Sequence, residues 1–184
     1  MGHSAGAHLA AIVATDRRLL GPHGMEPADL AGVVLLDGAA YGIPRVVDQL
    51  ESDSGRRRSF EDAFGPRWRE TPPRGEGDET ARLDRWRDAS PRHHIVEGRS
   101  YPPMLVVYQG SRWLAARTSG ALVAALRRVG AWGRVVPVDE DHVACNRDLG
   151  IPGDELTVAV EGFFDGLSES RTPGSPEDAT IQSR

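Results

Sequence analysis

Gly2-His3-Ser4-Ala5-Gly6 is the stretch of this sequence best equipped for covalent chemistry. The pattern G-x-S-x-G sets a serine on a sharp turn from strand to helix, and its flanking glycines are expected because strand and helix crowd the turn. A hydroxyl placed there projects beyond the C-terminal edge of a sheet. The N–H of the next residue, Ala5, then faces the oxygen on which negative charge develops during attack on a carbonyl. A serine needs a base to become a nucleophile, and His142 lies late in the chain, after Asp139-Glu140-Asp141. The plain alternatives are a helix N-cap for Ser4 and a solvated loop position for His142. Cys145 is a second conceivable nucleophile, but nothing around it in sequence activates a thiol, and an inert free cysteine is the expectation. His3 and His8 flank the serine without a carboxylate or cysteine at ligand spacing, so neither a metal nor another cofactor is expected.

These residues must be held by an ordered frame. Residues 5–15 read as a helix of small apolar side chains, suited to lie close against a sheet. Gly32 to Asp37 is an uninterrupted apolar run closed by an acid, the signature of a parallel strand buried on both faces. Pro44 opens a short helix to Leu50. Residues 51–80, charged and rich in Gly and Pro, read as a surface excursion with Phe60, Phe64 and Trp68 as isolated apolar anchors. A helix is expected over 80–87, and Met104 to Tyr108 forms a second buried strand. Leu114, Leu122, Val123, Leu126 and Val129 have helical spacing, ended by Gly130. Arg134 to Val138 is an edge-like strand, because Pro137 cannot donate to a ladder. Asp154 can cap a last helix with Leu156, Val160, Phe163 and Phe164 as its buried stripe. Residues 168–184 read as a disordered tail. Trp68, Trp86, Trp113 and Trp132 read as packing residues rather than pocket walls, and His93-His94 as loop packing. The alternation of helix and strand argues for an α/β layer around a parallel sheet.

Composition narrows the function classes. The net charge is −5, and all 22 basic residues are arginine, scattered along the chain. An acidic chain without a basic face is a poor partner for nucleic acid or an anionic membrane. No apolar run reaches the ~18 residues of a membrane span. With no visible signal segment and a single cysteine, the expected compartment is the reducing cytoplasm.

Gly2 to Ala10 resembles the elbow of the esterase/lipase branch of the α/β-hydrolases, in particular small bacterial carboxylesterases related to hormone-sensitive lipase and kynurenine formamidase. The likeness continues in Val33 to Pro44, Trp86 to Pro91, Pro102 to Tyr108, Asp141-His142 and Leu149 to Asp154, and covers about residues 1–166. It implies a partial α/β-hydrolase fold, a parallel sheet with flanking helices. Members place about five strands and a second oxyanion donor, often in a His-Gly-Gly segment, before the elbow. The chain thus reads as the C-terminal part of such a domain (1–167) with its N-terminal strands missing. Carried over, Ser4 is the nucleophile, His142 the general base and Ala5 N–H half of an oxyanion hole, acting on a small-molecule carboxylic ester or related amide through an acyl-enzyme. The usual acid follows the second strand in a Tyr-x-x-x-Asp segment, and that position is Arg112, a cation that opposes an imidazolium. Asp37 is the substitute candidate, since some members place the acid after the preceding strand. Its bland alternative is a turn-initiating Asp before Gly38. The competing reading of the chain is a non-catalytic, truncated remnant. Substrate identity and oligomeric state are not legible.

Overall fold

A four-stranded sheet, all parallel and in the order β1-β2-β3-β4, organises the chain. The structure, a computed structural model, describes residues 1–50, 55–64 and 86–169. Strand β1 is only Gly2–His3, β2 is Val33–Leu36, β3 is Met104–Gln109 and β4 is Gly133–Val138. β2 and β3 sit in the middle, as their unbroken apolar runs require: every residue of β2 is buried, and so are the first four of β3. β4 is an edge strand whose interior is partly exposed, with Pro137 opposite Tyr108. The edge-like reading of that strand therefore holds.

Alternation along β2 and β3 sends successive side chains to opposite faces, and each face has its own core. Val33, Leu35, Met104 and Val106 pack with Ala7 and Ala11 of helix α1 (Ala5–Val13). Leu122, Val123 and Leu126 join them from the long helix Trp113–Arg128. Val34, Leu36, Leu105 and Val107 pack on the other face with Leu156, Val160 and Phe163 of the last helix, Glu155–Glu169. Ala7 and Ala11 are fully buried, which explains the small-residue composition of α1: only a methyl fits between helix backbone and sheet.

Between these lie α2 (Arg17–Leu20), α3 (Ile43–Val47) and α4 (Gly55–Phe64). The Trp113–Arg128 helix is α5, the short turn of helix Ala144–Arg147 is α6, and Glu155–Glu169 is α7. Asp154 caps α7 as expected, its Oδ2 accepting from Thr157 N at 3.0 Å. Three expectations need correction. Helix α7 runs through Ser168 and Glu169, so the expected tail does not begin at Ser168; residues 170–184 lie outside the described residues. Phe164 is 46% exposed, and Thr157 takes its place on the buried side, its hydroxyl accepting from Gly150 N. Of the tryptophans, Trp86 is core and the half-exposed Trp132 stacks on Phe163, with ring centroids 5.5 Å apart, but Trp113 is 53% exposed. Trp68 and most of the 51–80 excursion lie outside the described residues, as does the helix over 80–87 except at its C-terminal end. Among the described residues no helix is long and apolar enough to cross a membrane.

Candidate active site

The register of the first two strands builds the site. His3 is paired with Leu36, so one step further along each strand stand Ser4 and Asp37, side by side at the C-terminal edge. Backbone bonds anchor both: Ser4 N donates to Leu36 O at 2.9 Å and Asp37 N to Val107 O at 2.8 Å. Ser4 (φ 55°) and Asp37 (φ 44°) are the two non-glycine residues with positive φ among those described. Such backbone costs about 1–3 kcal/mol and persists where surrounding structure enforces it. For Ser4 the enforcement is steric. A Cβ on Gly2 would fall 2.1 Å from the carbonyl oxygen of Gly6, a backbone atom that cannot move aside. The expectation that both flanking glycines are crowded holds at Gly2 and fails at Gly6, where a Cβ would meet nothing within 4 Å.

Ser4 does not cap α1 with its side chain. Its hydroxyl donates instead to His142 Nε2, at 3.0 Å, so the N-cap reading is set aside. On the far side of the imidazole, Nδ1–H donates to Asp37 Oδ2 at 2.6 Å. This pairing fixes the tautomer: the proton is on Nδ1 and the lone pair of Nε2 faces the serine. His142 stands on the loop after β4 and before α6, positioned by neighbours. His3 Nε2–H donates to the backbone oxygen of His142 at 2.6 Å, and the two rings lie 4.6 Å apart. Asp141 is occupied in its own turn, accepting from Val143 N and Ala144 N at 2.8 Å each.

Asp37 is buried. Burial alone pushes its carboxyl up, but hydrogen bonds from His142, from Gln109 N (3.1 Å) and from Arg112 outweigh it, holding the group ionised below the ordinary carboxylate range. Arg112 is the unexpected member. It does not displace the acid but binds it: one guanidinium nitrogen pairs with Asp37 Oδ2, approaches Asp37 O at 3.2 Å and stands 3.0 Å from His142 Nδ1. Both that nitrogen and Nδ1 carry protons in the tautomer above, so the last contact is a crowding of two donors around one carboxylate oxygen.

Ser4, Ala5, Asp37 and Arg112 border a cavity of about 310 Å³. Its other walls are mostly apolar, from Ala39 and Ala40, Leu114 of α5, and Phe60, Ala63 and Phe64 of α4, with Ser59 the polar residue of that helix. Ala5 opens α1, and the first N–H groups of a helix have no partner within it. Sequence reasoning took Phe60 and Phe64 as anchors of a surface excursion and missed them as cavity walls, since a mixed, charged segment gives no periodic signal. His8 also borders the cavity, donating from Nε2 to Ala89 O at 2.7 Å, and burial lowers its pKa.

Cys145 is buried, with its thiol pushed up to about 12 by burial first and then by nearby carboxylates. That is the reverse of what a nucleophilic thiol needs. His3 and His8 are held by backbone carbonyls, and no cluster of three metal-ligating side chains occurs among the described residues.

No family model and no curated protein matches the chain. Solved structures do. Esterase 2 of Thermogutta terrifontis, phosphonylated by sarin, superposes with a TM-score of 0.62 at 18% identity, over 94% of this chain and 57% of that one. The same esterase in its native form gives 0.58 at 19% identity, over 92% of this chain and 54% of that one. A prolyl endopeptidase gives 0.56 at 21%, over 96% of this chain and 22% of that one. The fold is of the α/β-hydrolase kind, in part. The chain spans about half the length of the esterase chains it matches.

Proposed function

We propose that the chain carries the reacting residues of a serine hydrolase that cleaves carboxylic esters, or related amides, through an acyl-enzyme. The observation that carries this reading is the hydrogen-bonded line Ser4–His142–Asp37 at a strained strand-to-helix turn. Ser4 Oγ attacks the carbonyl carbon as its proton passes to His142 Nε2. Asp37 holds the ring in the reactive tautomer and faces the imidazolium that forms. The carbonyl oxygen, now an anion, lies against Ala5 N–H. Collapse returns the proton from His142 to the leaving alcohol. Water then repeats the cycle on the acyl-serine and releases the acid. The apolar wall of Ala39, Ala40, Leu114, Phe60 and Phe64 favours a small hydrocarbon acyl group, and the cavity is at the small end of ligand sites. Likeness in fold to an esterase described as phosphonylated by sarin supports the same class.

Turnover of a short-chain aryl ester tests the reading. Ser4→Ala is expected to remove about 10⁴ to 10⁶ of the rate. Equal rates in the two proteins would overturn it.

A second reading, a non-catalytic protein, rests on Arg112. A cation already bound to Asp37 weakens what that carboxylate can give an imidazolium. The same assay separates the two.

A further inference from the structure

Arginines that are scattered in sequence gather at one place in the fold. Arg45 of α3, Arg92 of the turn Pro91–His94 and Arg117 of α5 border a cavity of about 110 Å³, shared with Gln49 and Thr118. Arg18, Arg112 and Arg147 each hold a carboxylate. Arg45, Arg92 and Arg117 hold none among the described residues, although the chain as a whole is acidic. Burial, together with the charges of Arg45 and Arg128, disfavours the cationic form of Arg92. Among the described residues no carboxylate pairs with these three guanidinium groups, and a bound anion would supply the opposite charge that the half-buried Arg92 lacks there.

We propose that this cavity is a binding site for a tetrahedral dianion of the phosphate class, either free or as the phosphoryl end of a small molecule. Guanidinium forks match phosphate oxygens in pairs. A phosphoryl group brings a charge of about −1.5 to −2 and three acceptor oxygens, enough for three arginines, whereas a carboxylate brings one charge and two oxygens. The volume is well below the ~300 Å³ at which pockets enclose drug-sized ligands, so the site takes one such group and not a whole nucleotide. Thr118 Oγ1 donates to Leu114 O at 2.9 Å, so its hydroxyl proton is committed and the arginines supply the recognition.

The site is distinct from the serine cavity but built on the same two elements. The loop after β2 gives Asp37, Ala39 and Ala40 to one cavity and Gly42 to the other, before Arg45 on α3. Helix α5 gives Leu114 to one and Arg117 to the other. Binding therefore requires none of the Ser4 chemistry.

The test is calorimetric titration of the full 184-residue chain with inorganic phosphate at pH 8, at ionic strength held constant with chloride. Thermal melts are recorded in parallel. Saturable binding of one phosphate and a matching rise in Tm are expected. Arg45→Gln with Arg117→Gln, both exposed positions that circular dichroism can check for folding, should weaken binding by about tenfold or more. Ser4→Ala should bind as wild type. Glycerol 3-phosphate binding as tightly as phosphate would assign the site to a phosphoryl group, and phosphate binding alone would assign it to the free ion. A response that chloride reproduces, or full affinity in the folded double variant, would overturn the proposal.

Discussion

One carboxylate oxygen, Asp37 Oδ2, is shared by an imidazole and a guanidinium, and this sharing sets what each residue can contribute. Asp37→Asn should lower kcat by about 10² to 10⁴ with little change in KM, because the wrong tautomer harms the transition state more than binding. Arg112→Met should act oppositely. It removes a cation that crowds Nδ1 and neutralises the acid, so kcat should rise by about tenfold. A fall would mean that holding Asp37 in place matters more than the repulsion. Stability gives an independent readout. The folded state depresses the Asp37 pKa below its ordinary value of about 3.9, so this contribution is complete above that value and disappears as pH falls through the depressed one. Melts from pH 7 to pH 2 should show the Tm gap between wild type and Asp37→Asn intact above about pH 5 and narrowing below about pH 4. A constant gap would contradict the assignment. The place of Asp37 was legible in the sequence, because an acid that ends a buried parallel strand must stand at the C-terminal edge of the sheet. That Arg112 would bind the acid was not, since a sequence position says where a cation starts and not what its long side chain reaches.

At the scale of elements, the turn between β1 and α1 does most of the positioning. Strand β1 has only two residues, yet its pairing with Leu35 and Leu36 fixes Ser4 beside Asp37. So short a strand has no periodicity to read, whereas β2 and β3 declare themselves by four or more consecutive apolar residues. The two glycines of the turn should respond differently to a methyl group. Gly2→Ala meets the Gly6 backbone oxygen and should lower stability by about 1–3 kcal/mol, together with any esterase activity, while Gly6→Ala has open space and should be mild. Denaturant melts of the two variants check this; equal losses would mean that the turn is not held by close packing at Gly2. Helix α4 shows the limit of pattern reading. Its composition is that of a solvated segment, but Phe60 and Phe64 reach over the cavity beside Ser4.

For the molecule as a whole, two cores on opposite faces of one parallel sheet leave Ser4 and Asp37 at the sheet's C-terminal edge, where ligands of α/β sheets bind. The layer order and the central strands were readable from apolar runs. The gathering of Arg45, Arg92 and Arg117 was not, because it depends on how three separate elements pack. Covalent capture tests whether Ser4 is a nucleophile without a substrate in hand. The 184-residue chain is incubated with an aryl fluorophosphonate, and its intact mass and peptide map are recorded. One phosphonyl group should add with loss of fluoride, carried on the peptide that contains Ser4, absent in Ser4→Ala and strongly slowed in His142→Ala. An unchanged mass for the folded wild-type chain, or an adduct on any other residue, would rule Ser4 out as the nucleophile.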